Sequence, residues 1–422
     1  LGATGAAGLA TAAGGYRLLS DPAEAATTLP VPGKSGIKHV VVVMMENRSF
    51  DHFLGWLPTA DGKQAGLSYV DRYGVAHPTH HLDITASCGF NDPDHSYEGG
   101  RIELNGGRCD GWLRAGQNDS LSIGYYEQAD LSFLGSAATD WTTFDRYFSA
   151  VMAETYPNRF YLHGGRTDRL HNGDKPFSQP FPYPTIWSRL IAKGVSHAYY
   201  YADTLPLFPI LLKHGPTNRK PFAQFLTDAA AGTLASVSYI DPRFTGEETG
   251  LSNDDHPHAD IRAGEDFMNQ IYAAVTASPA WPDTLLVFTY DEWGGFFDHV
   301  APGKAHDVSA TTALRGFRVP TLVVSPFARR GHVDHAVYDH TSILKLIEWR
   351  WGLKSLTPRD HYARNLAHSL DFADKDTTFP SYVVPPFTPT ACGASAAEAR
   401  GPEYAEWEGL RDHILRQEGV RR

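Results

Sequence analysis

The sequence predicts an α/β protein: a parallel-dominated sheet covered by helices on both faces, with long loops at the active site. Three observations lead there. Strand-like segments alternate with helical ones along most of the chain, as in βαβ architectures. The apolar runs are continuous rather than alternating, as in Val40-Val41-Val42-Val43-Met44-Met45 and Leu285-Leu286-Val287-Phe288. Runs of that kind belong to strands buried on both faces. Finally, residues 58–120 are rich in Gly, Asp, Asn and His without periodicity, which marks a long functional loop region.

Size and charge limit the possibilities further. A chain of 422 residues with 42% hydrophobic and 12% aromatic residues can bury a substantial core. A net charge of −11 argues against a nucleic-acid partner held through its phosphates. The twenty histidines, many beside Asp or Glu, suit metal or acid–base chemistry. Of the three cysteines, Cys88 and Cys109 flank a Gly- and Asn-containing loop. They pair if the protein is exported, or remain free thiols in a core; Cys392 has no evident partner. No stretch is long enough to span a bilayer. Leu1–Gly15, nearly all Ala, Gly, Leu and Thr, reads either as a frayed arm or as the tail of a secretory signal of twin-arginine type. The second reading places the protein outside the cell or in its envelope.

In order, residues 1–36 form an arm, 37–380 a single catalytic domain, and 381–422 a Pro-rich tail and a helix packed on the body. The opening strand covers about 37–46. Segment 125–149, with Tyr125, Tyr126, Leu131, Phe133, Trp141 and Phe148, reads as helical. Thr155 is placed as the N-cap of a short helix stopped by Gly164-Gly165. Strands follow at 197–202, 235–241, 284–290 and 321–325, and helices at 264–277 and 341–351. The last helix presents Tyr404, Trp407, Leu410 and Ile414 on one side.

Two strands end in acidic or acid–amide pairs, Glu46-Asn47 and Asp291-Glu292. In parallel α/β sheets, ligands bind beyond the carboxyl ends of the strands, and neighbouring strands lie about 4.8 Å apart. Four oxygen-bearing side chains can therefore converge on one hard divalent ion, Mg²⁺, Mn²⁺ or Ca²⁺; a nearby imidazole leaves Zn²⁺ open. If the Thr155 hydroxyl also reaches that ion, it loses its proton more readily and becomes a nucleophile toward phosphorus. A leaving alkoxide then needs a proton, for which His95, His256 and His299, each following an Asp, are the candidates. Arg159 pairs either with a phosphate or with Glu154.

Glu46-Asn47-Arg48-Ser49-Phe50-Asp51-His52 resembles the opening signature of the bacterial phosphoesterase family that contains phospholipases C and certain acid phosphatases. The resemblance continues through Asp94-His95-Ser96, Asp145-Arg146-Tyr147-Phe148, Thr155-x-Pro157-Asn158-Arg159 and Asp255-His256-Pro257. It ends with Thr289-Tyr290-Asp291-Glu292-x-Gly294-Gly295-x-Phe297-Asp298-His299-Val300 and Asp339-His340-Thr341-Ser342. It implies an alkaline-phosphatase-like core in which Glu46, Asn47, Thr155, Asp291 and Glu292 ring a divalent metal. Thr155 is then the nucleophile, His95 and His256 face the phosphoryl group, and His299 is carried over with them. The family has Ser at the nucleophile position in its phosphatase branch and Thr in its phospholipase branch, so Thr155 implies a diesterase of phospholipase C type working through a phosphothreonine, secreted on the leader reading of Leu1–Gly15. An acid phosphatase acting on monoesters is the alternative. Glu154 and Tyr156 depart from the smaller residues expected beside the nucleophile. The long C-terminal domains of the large haemolytic members are also missing, which adds soluble glycerophosphodiesters to phospholipids as expected substrates. Tyr156 and Arg159 are the expected substrate contacts, with Tyr125 and Tyr126 available to a choline-type head group.

Overall fold

The computed structural model describes residues 28–393 and 406–417. The expected leader remnant at Leu1–Gly15 and Tyr404 of the last helix lie outside them. One sheet of eight strands organises the molecule: β1 (His39–Met45), β2 (Thr142–Phe144), β3 (His197–Tyr201), β4 (Arg219–Pro221), β5 (Val237–Asp241), β6 (Thr284–Tyr290), β7 (Thr321–Val324) and β8 (His332–Asp334). Their order is β8-β2-β7-β6-β1-β5-β3-β4. Every neighbouring pair is parallel except the two that β7 makes, with β6 and with β2. The sheet is therefore parallel-dominated, with β1 at its centre. Val40 to Met45 of β1 and all of β6 are buried, which is why both read as uninterrupted apolar runs.

The helices that bear on the site are α1 (Phe50–Leu54), α2 (Gly99–Leu104), α3 (Thr155–Gly164), α4 (Ile186–Lys193), α5 (Phe222–Ala230), α6 (Ile261–Thr276), α7 (His340–Trp351) and α8 (Glu406–Gln417). None of the described helices is long and apolar enough to cross a membrane. Helix α3 is buried at every position, so it crosses the interior rather than lying on the surface. Helix α8 packs back on the body: Trp407 stacks on Phe244 with ring centroids 4.0 Å apart, and Leu410 and Ile414 are buried.

Two expectations need correction. Segment 125–149 is not one helix. Its helical part is Leu134–Asp140, after which Thr142-Thr143-Phe144 forms β2 between β7 and β8. Two consecutive β-branched threonines favour that extended, buried strand over a further helical turn. The disulfide joins Cys88 to Cys392, not to Cys109. The C-terminal segment returns across the loop that precedes α6: Cys392 N donates to Thr249 O (2.8 Å) and Thr390 N to Asp260 Oδ2 (3.0 Å). That return path brings Cys392 to Cys88, whereas Cys109 is a free thiol buried in a separate cluster with Leu104, Trp112 and Phe317.

Candidate active site

The register of β1 on β6 sets the site. Met45 pairs with Tyr290, so Glu46-Asn47 and Asp291-Glu292 leave the sheet side by side. The two turns are then sewn together: Asp291 N donates to Met45 O (3.1 Å) and Asn47 N to Asp291 Oδ1 (3.2 Å). Asn47 adopts a left-handed backbone (φ 58°), which Asn tolerates better than most residues. Gly294 lies so close to this turn that an added Cβ would sit 2.2 Å from Asn47 O, and its own φ is +63°. All four ligand candidates have no measurable exposure.

Thr155 enters from α3. It is the first helical residue; the cap position belongs to Glu154, whose carboxylate accepts from Asn172 N at 2.5 Å instead of capping the helix. The Thr155 hydroxyl donates to Asn47 Oδ1 at 3.4 Å. The structure thus brings Thr155 to the turn that carries Glu46, Asn47, Asp291 and Glu292. In the opening turn of α3 Tyr156 N already donates to Asn172 Oδ1 (2.7 Å) and Pro157 carries no N–H, so what the helix adds there is the positive end of its dipole.

Arg159, one turn along α3, is committed to carboxylates. Its guanidinium meets Glu46 at 3.0 Å, Asp241 at 3.2 Å and Asp291 at 3.4 Å, and it stacks over Phe244. The Tyr156 ring packs in the core against Trp407 (5.0 Å) and Phe208 (6.3 Å). In this structure both side chains are engaged with protein groups, Arg159 with three carboxylates and Tyr156 with two aromatic rings. Tyr126 is likewise in the core, against His52 and Phe53, and Tyr125 sits beside His81.

His95 and His256 approach from two loops, with ring centroids 6.1 Å apart. His95 Nδ1 donates to Pro93 O (2.7 Å), which turns Nε2 toward Asn47 Nδ2 (3.3 Å) and Glu292 Oε1 (3.9 Å). His256 Nδ1 donates to Pro257 O (3.0 Å), and its Nε2 faces Asp92 Oδ2 at 3.8 Å. Its loop is anchored from below: Arg48 Nε donates to Asp255 O (2.7 Å) and the Tyr290 hydroxyl to Asp255 Oδ2 (2.6 Å). Asp255 is held at φ 76°, a strained setting of the kind that structures maintain at functional sites.

His299 stands elsewhere. Its Nδ1 pairs with Asp51 Oδ2 (2.5 Å) and its Nε2 with Asp61 Oδ1 (3.1 Å), in a cluster completed by Asp298 and Arg318. His340 does not cap α7, a role taken by Asp339. Instead His340 Nε2 donates to Asp291 O at 2.6 Å and so steadies the β6 turn. Sequence reasoning passed over Asp241, Asp92, Asp254 and Glu247. Asp241 ends β5 as Glu46 follows β1, so the strand-end rule that found the others would have found it. Asp254 accepts Glu46 N through its backbone carbonyl (2.7 Å), a contact with no sequence signal.

The electrostatics call for a cation. Burial pushes the Glu46 carboxyl well above the usual carboxylate range, opposed by Arg159 and reinforced by Asp291, Asp254 and Glu292. Burial also raises Asp291, against the pull of Arg159, and takes Asp241 up to about 6. His256 is pushed well below its usual value by burial and by its neighbour His95. Neither Glu46 oxygen accepts a hydrogen bond, and Asp291 Oδ2 accepts none either. Buried carboxylates that share the single guanidinium of Arg159 and keep oxygens outside hydrogen-bond geometry are what an oxygen-ligated divalent ion would satisfy. Glu46, Asn47, Thr155, Asp291 and Glu292 fit such an ion.

The model of the phosphoesterase family matches residues 37–354. The chain is 31% identical over 372 residues to non-specific phospholipase C1 of Arabidopsis thaliana, an alignment spanning 78% of this chain and 69% of that one. It is 29% identical over 421 residues to phospholipase C A of Mycobacterium tuberculosis, spanning 82% and 79%. Among solved structures, a protein in the alkaline phosphatase superfamily from Vibrio parahaemolyticus aligns over 93% of this chain and 90% of its own, with a TM-score of 0.43 and 9% identity. With a family match across most of its length, this chain belongs to the phosphoesterase family and is a phosphoric ester hydrolase.

Proposed function

We propose that the protein is an exported, metal-dependent phosphodiesterase of phospholipase C type, acting on glycerophospholipids or their deacylated glycerophosphodiesters through a phosphothreonine at Thr155. The observation that carries this reading is the hydroxyl of Thr155 lying 3.4 Å from Asn47 Oδ1, at a helix N-terminus and beside the buried carboxylates of Glu46 and Asp291, which share the Arg159 guanidinium. A divalent cation held by Glu46, Asn47, Asp291 and Glu292 would supply the positive charge that makes the hydroxyl acidic. Thr155 Oγ1 attacks phosphorus in line, forming the Oγ1–P bond as the bond to the leaving oxygen breaks. The positive end of the α3 dipole favours the charge that develops on the phosphoryl oxygens. His95 Nε2, with the carboxylate of Glu292 3.9 Å away to support a positive charge, hands a proton to the leaving alkoxide. Water then hydrolyses the phosphothreonine, and His95 takes back a proton in that step. His256 lines the far side of the same space.

The names of the plant and mycobacterial relatives support the phospholipase C assignment. The Cys88–Cys392 disulfide supports export, because such bonds persist in oxidising compartments. The test compares p-nitrophenylphosphorylcholine with p-nitrophenyl phosphate on the wild type and on Thr155→Ala. The diester is expected to turn over faster, and the variant to lose about 10⁴-fold or more in kcat with its fold intact. Faster turnover of the monoester makes the enzyme a phosphatase; surviving activity in the variant removes Thr155 as nucleophile.

A further inference from the structure

Beside the carboxylates that face Thr155 lies a second set, which shares Glu46 with them and adds two side chains to which the reaction above gives no chemical step. Glu46, Glu247 and His256 each bring one ligand atom within 4.8 Å of the others. Among the described residues three such clusters occur, and this is the one in which every member is buried. Glu247 is 2% exposed although it follows a glycine in a surface-derived loop, and its Oε1 accepts no hydrogen bond. The charges that bear most on it are Asp254, Glu46 and Glu408, all acidic. The Arg159 guanidinium meets Glu46, Asp241 and Asp291 instead. A buried carboxylate held against other carboxylates requires a proton or a cation.

His256 is set up as a ligand. Its Nδ1–H is spent on the Pro257 carbonyl, so the Nε2 lone pair is the one presented to the cluster. A backbone carbonyl holding the opposite ring nitrogen is the usual support for a metal-bound histidine. Its main chain is fixed as well, since His256 N donates to Asp254 Oδ1 at 3.0 Å.

We propose that Glu46, Glu247 and His256 form a second divalent-cation site that shares Glu46 with the first. Two carboxylates and one imidazole suit a borderline ion such as Zn²⁺ or Mn²⁺ better than Mg²⁺. The role this gives His256 is that of a ligand rather than a proton donor. The site goes beyond the phosphodiesterase reading and depends on the first ion site only through Glu46.

The full chain, stripped with chelator, is dialysed against Zn²⁺ and its metal counted by mass spectrometry. The wild type is expected to hold two ions per chain and Glu247→Gln one, with circular dichroism reporting the variant's fold. A wild type that binds a single ion overturns the second site alone, and a wild type that binds none overturns the first as well. A folded Glu247→Gln that still holds two ions overturns the proposal, because a shared proton between Glu247 and Asp254 then explains the cluster. Should the variant not fold, anomalous scattering at the zinc edge from wild-type crystals decides: a peak bounded by Glu247 and His256 is expected, and a map without one refutes the site.

Discussion

Replacing Arg159 by methionine removes the one guanidinium among the acids behind Thr155 while keeping most of the side-chain volume. In the folded chain that group meets Glu46, Asp241 and Asp291 at 3.0–3.4 Å and donates to the carbonyls of Met44 and Met45 at 3.2 and 3.3 Å. Deleting one partner of a buried ion pair typically destabilises by about 3–5 kcal/mol, because the other partner stays buried and uncompensated. That is a fifth or more of the ~5–15 kcal/mol that keeps a domain folded. The loss should depend on pH. Arg159 is the interaction that lowers the Glu46, Asp241 and Asp291 carboxyls against their burial. Without it, all three rise further above their unfolded values. An acid raised in the folded state favours folding at low pH and loses that contribution as pH climbs through its folded pKa. The gap between Arg159→Met and wild type should therefore be widest near pH 8 and narrow toward pH 5. Urea melts followed by tryptophan fluorescence, in chelator at the two pH values, measure it. A divalent ion at 100 times its Kd adds about 2.7 kcal/mol to a folded state that binds it, so metal should rescue the variant in part. A gap below about 1 kcal/mol at both pH values would refute the idea that Arg159 balances this cluster.

Chelation should abolish turnover of p-nitrophenylphosphorylcholine, and add-back of Mg²⁺, Mn²⁺, Ca²⁺ or Zn²⁺ should restore it; full activity in EDTA would sink the metal assignment. Gly294→Ala places a Cβ 2.2 Å from Asn47 O at a φ of +63°; a loss of about 1–3 kcal/mol is expected, together with a fall in kcat as Asn47 is displaced. Wild-type activity and stability in that variant would show the turn to be pliable. Cys392→Ser opens the bond to Cys88 and should lower stability by about 2–5 kcal/mol, a difference that vanishes when both proteins are melted in reductant.

The strands that carry the ligands were legible because a strand in the middle of a parallel sheet has no solvent face, so its sequence contains no polar alternation until the strand ends. Glu46 and Asp291 stand at those breaks, and register alone brings them together. Thr155 was legible as a helix-initiating hydroxyl, although the helix places it one position inside the cap. Arg159 reads in sequence as a partner of a phosphate or of Glu154; in the folded chain α3 is buried throughout and turns it onto three other acids. Glu247 and Asp92 lie in aperiodic loops, where local sequence says nothing about which side chains fold inward. The cysteines show the same limit. Cys88 and Cys109 are neighbours in sequence, yet partner choice follows the path of the C-terminal segment across residues 247–262.

The bond between Cys88 and Cys392, 304 positions apart, turns most of the polypeptide into a covalent ring. Thr155, both histidines and the second acidic turn lie inside that ring, while Glu46 and Asn47 reach in from the open strand before it. During synthesis the ring cannot close until residue 392 has emerged, and until then Cys88 and the thiol at Cys109 are the two oxidisable groups in reach of each other. In the folded chain Cys109 is buried in the cluster with Trp112 and takes no part in the ring. The crosslink ties the segment that ends at residue 392 to the loop that leads into His95.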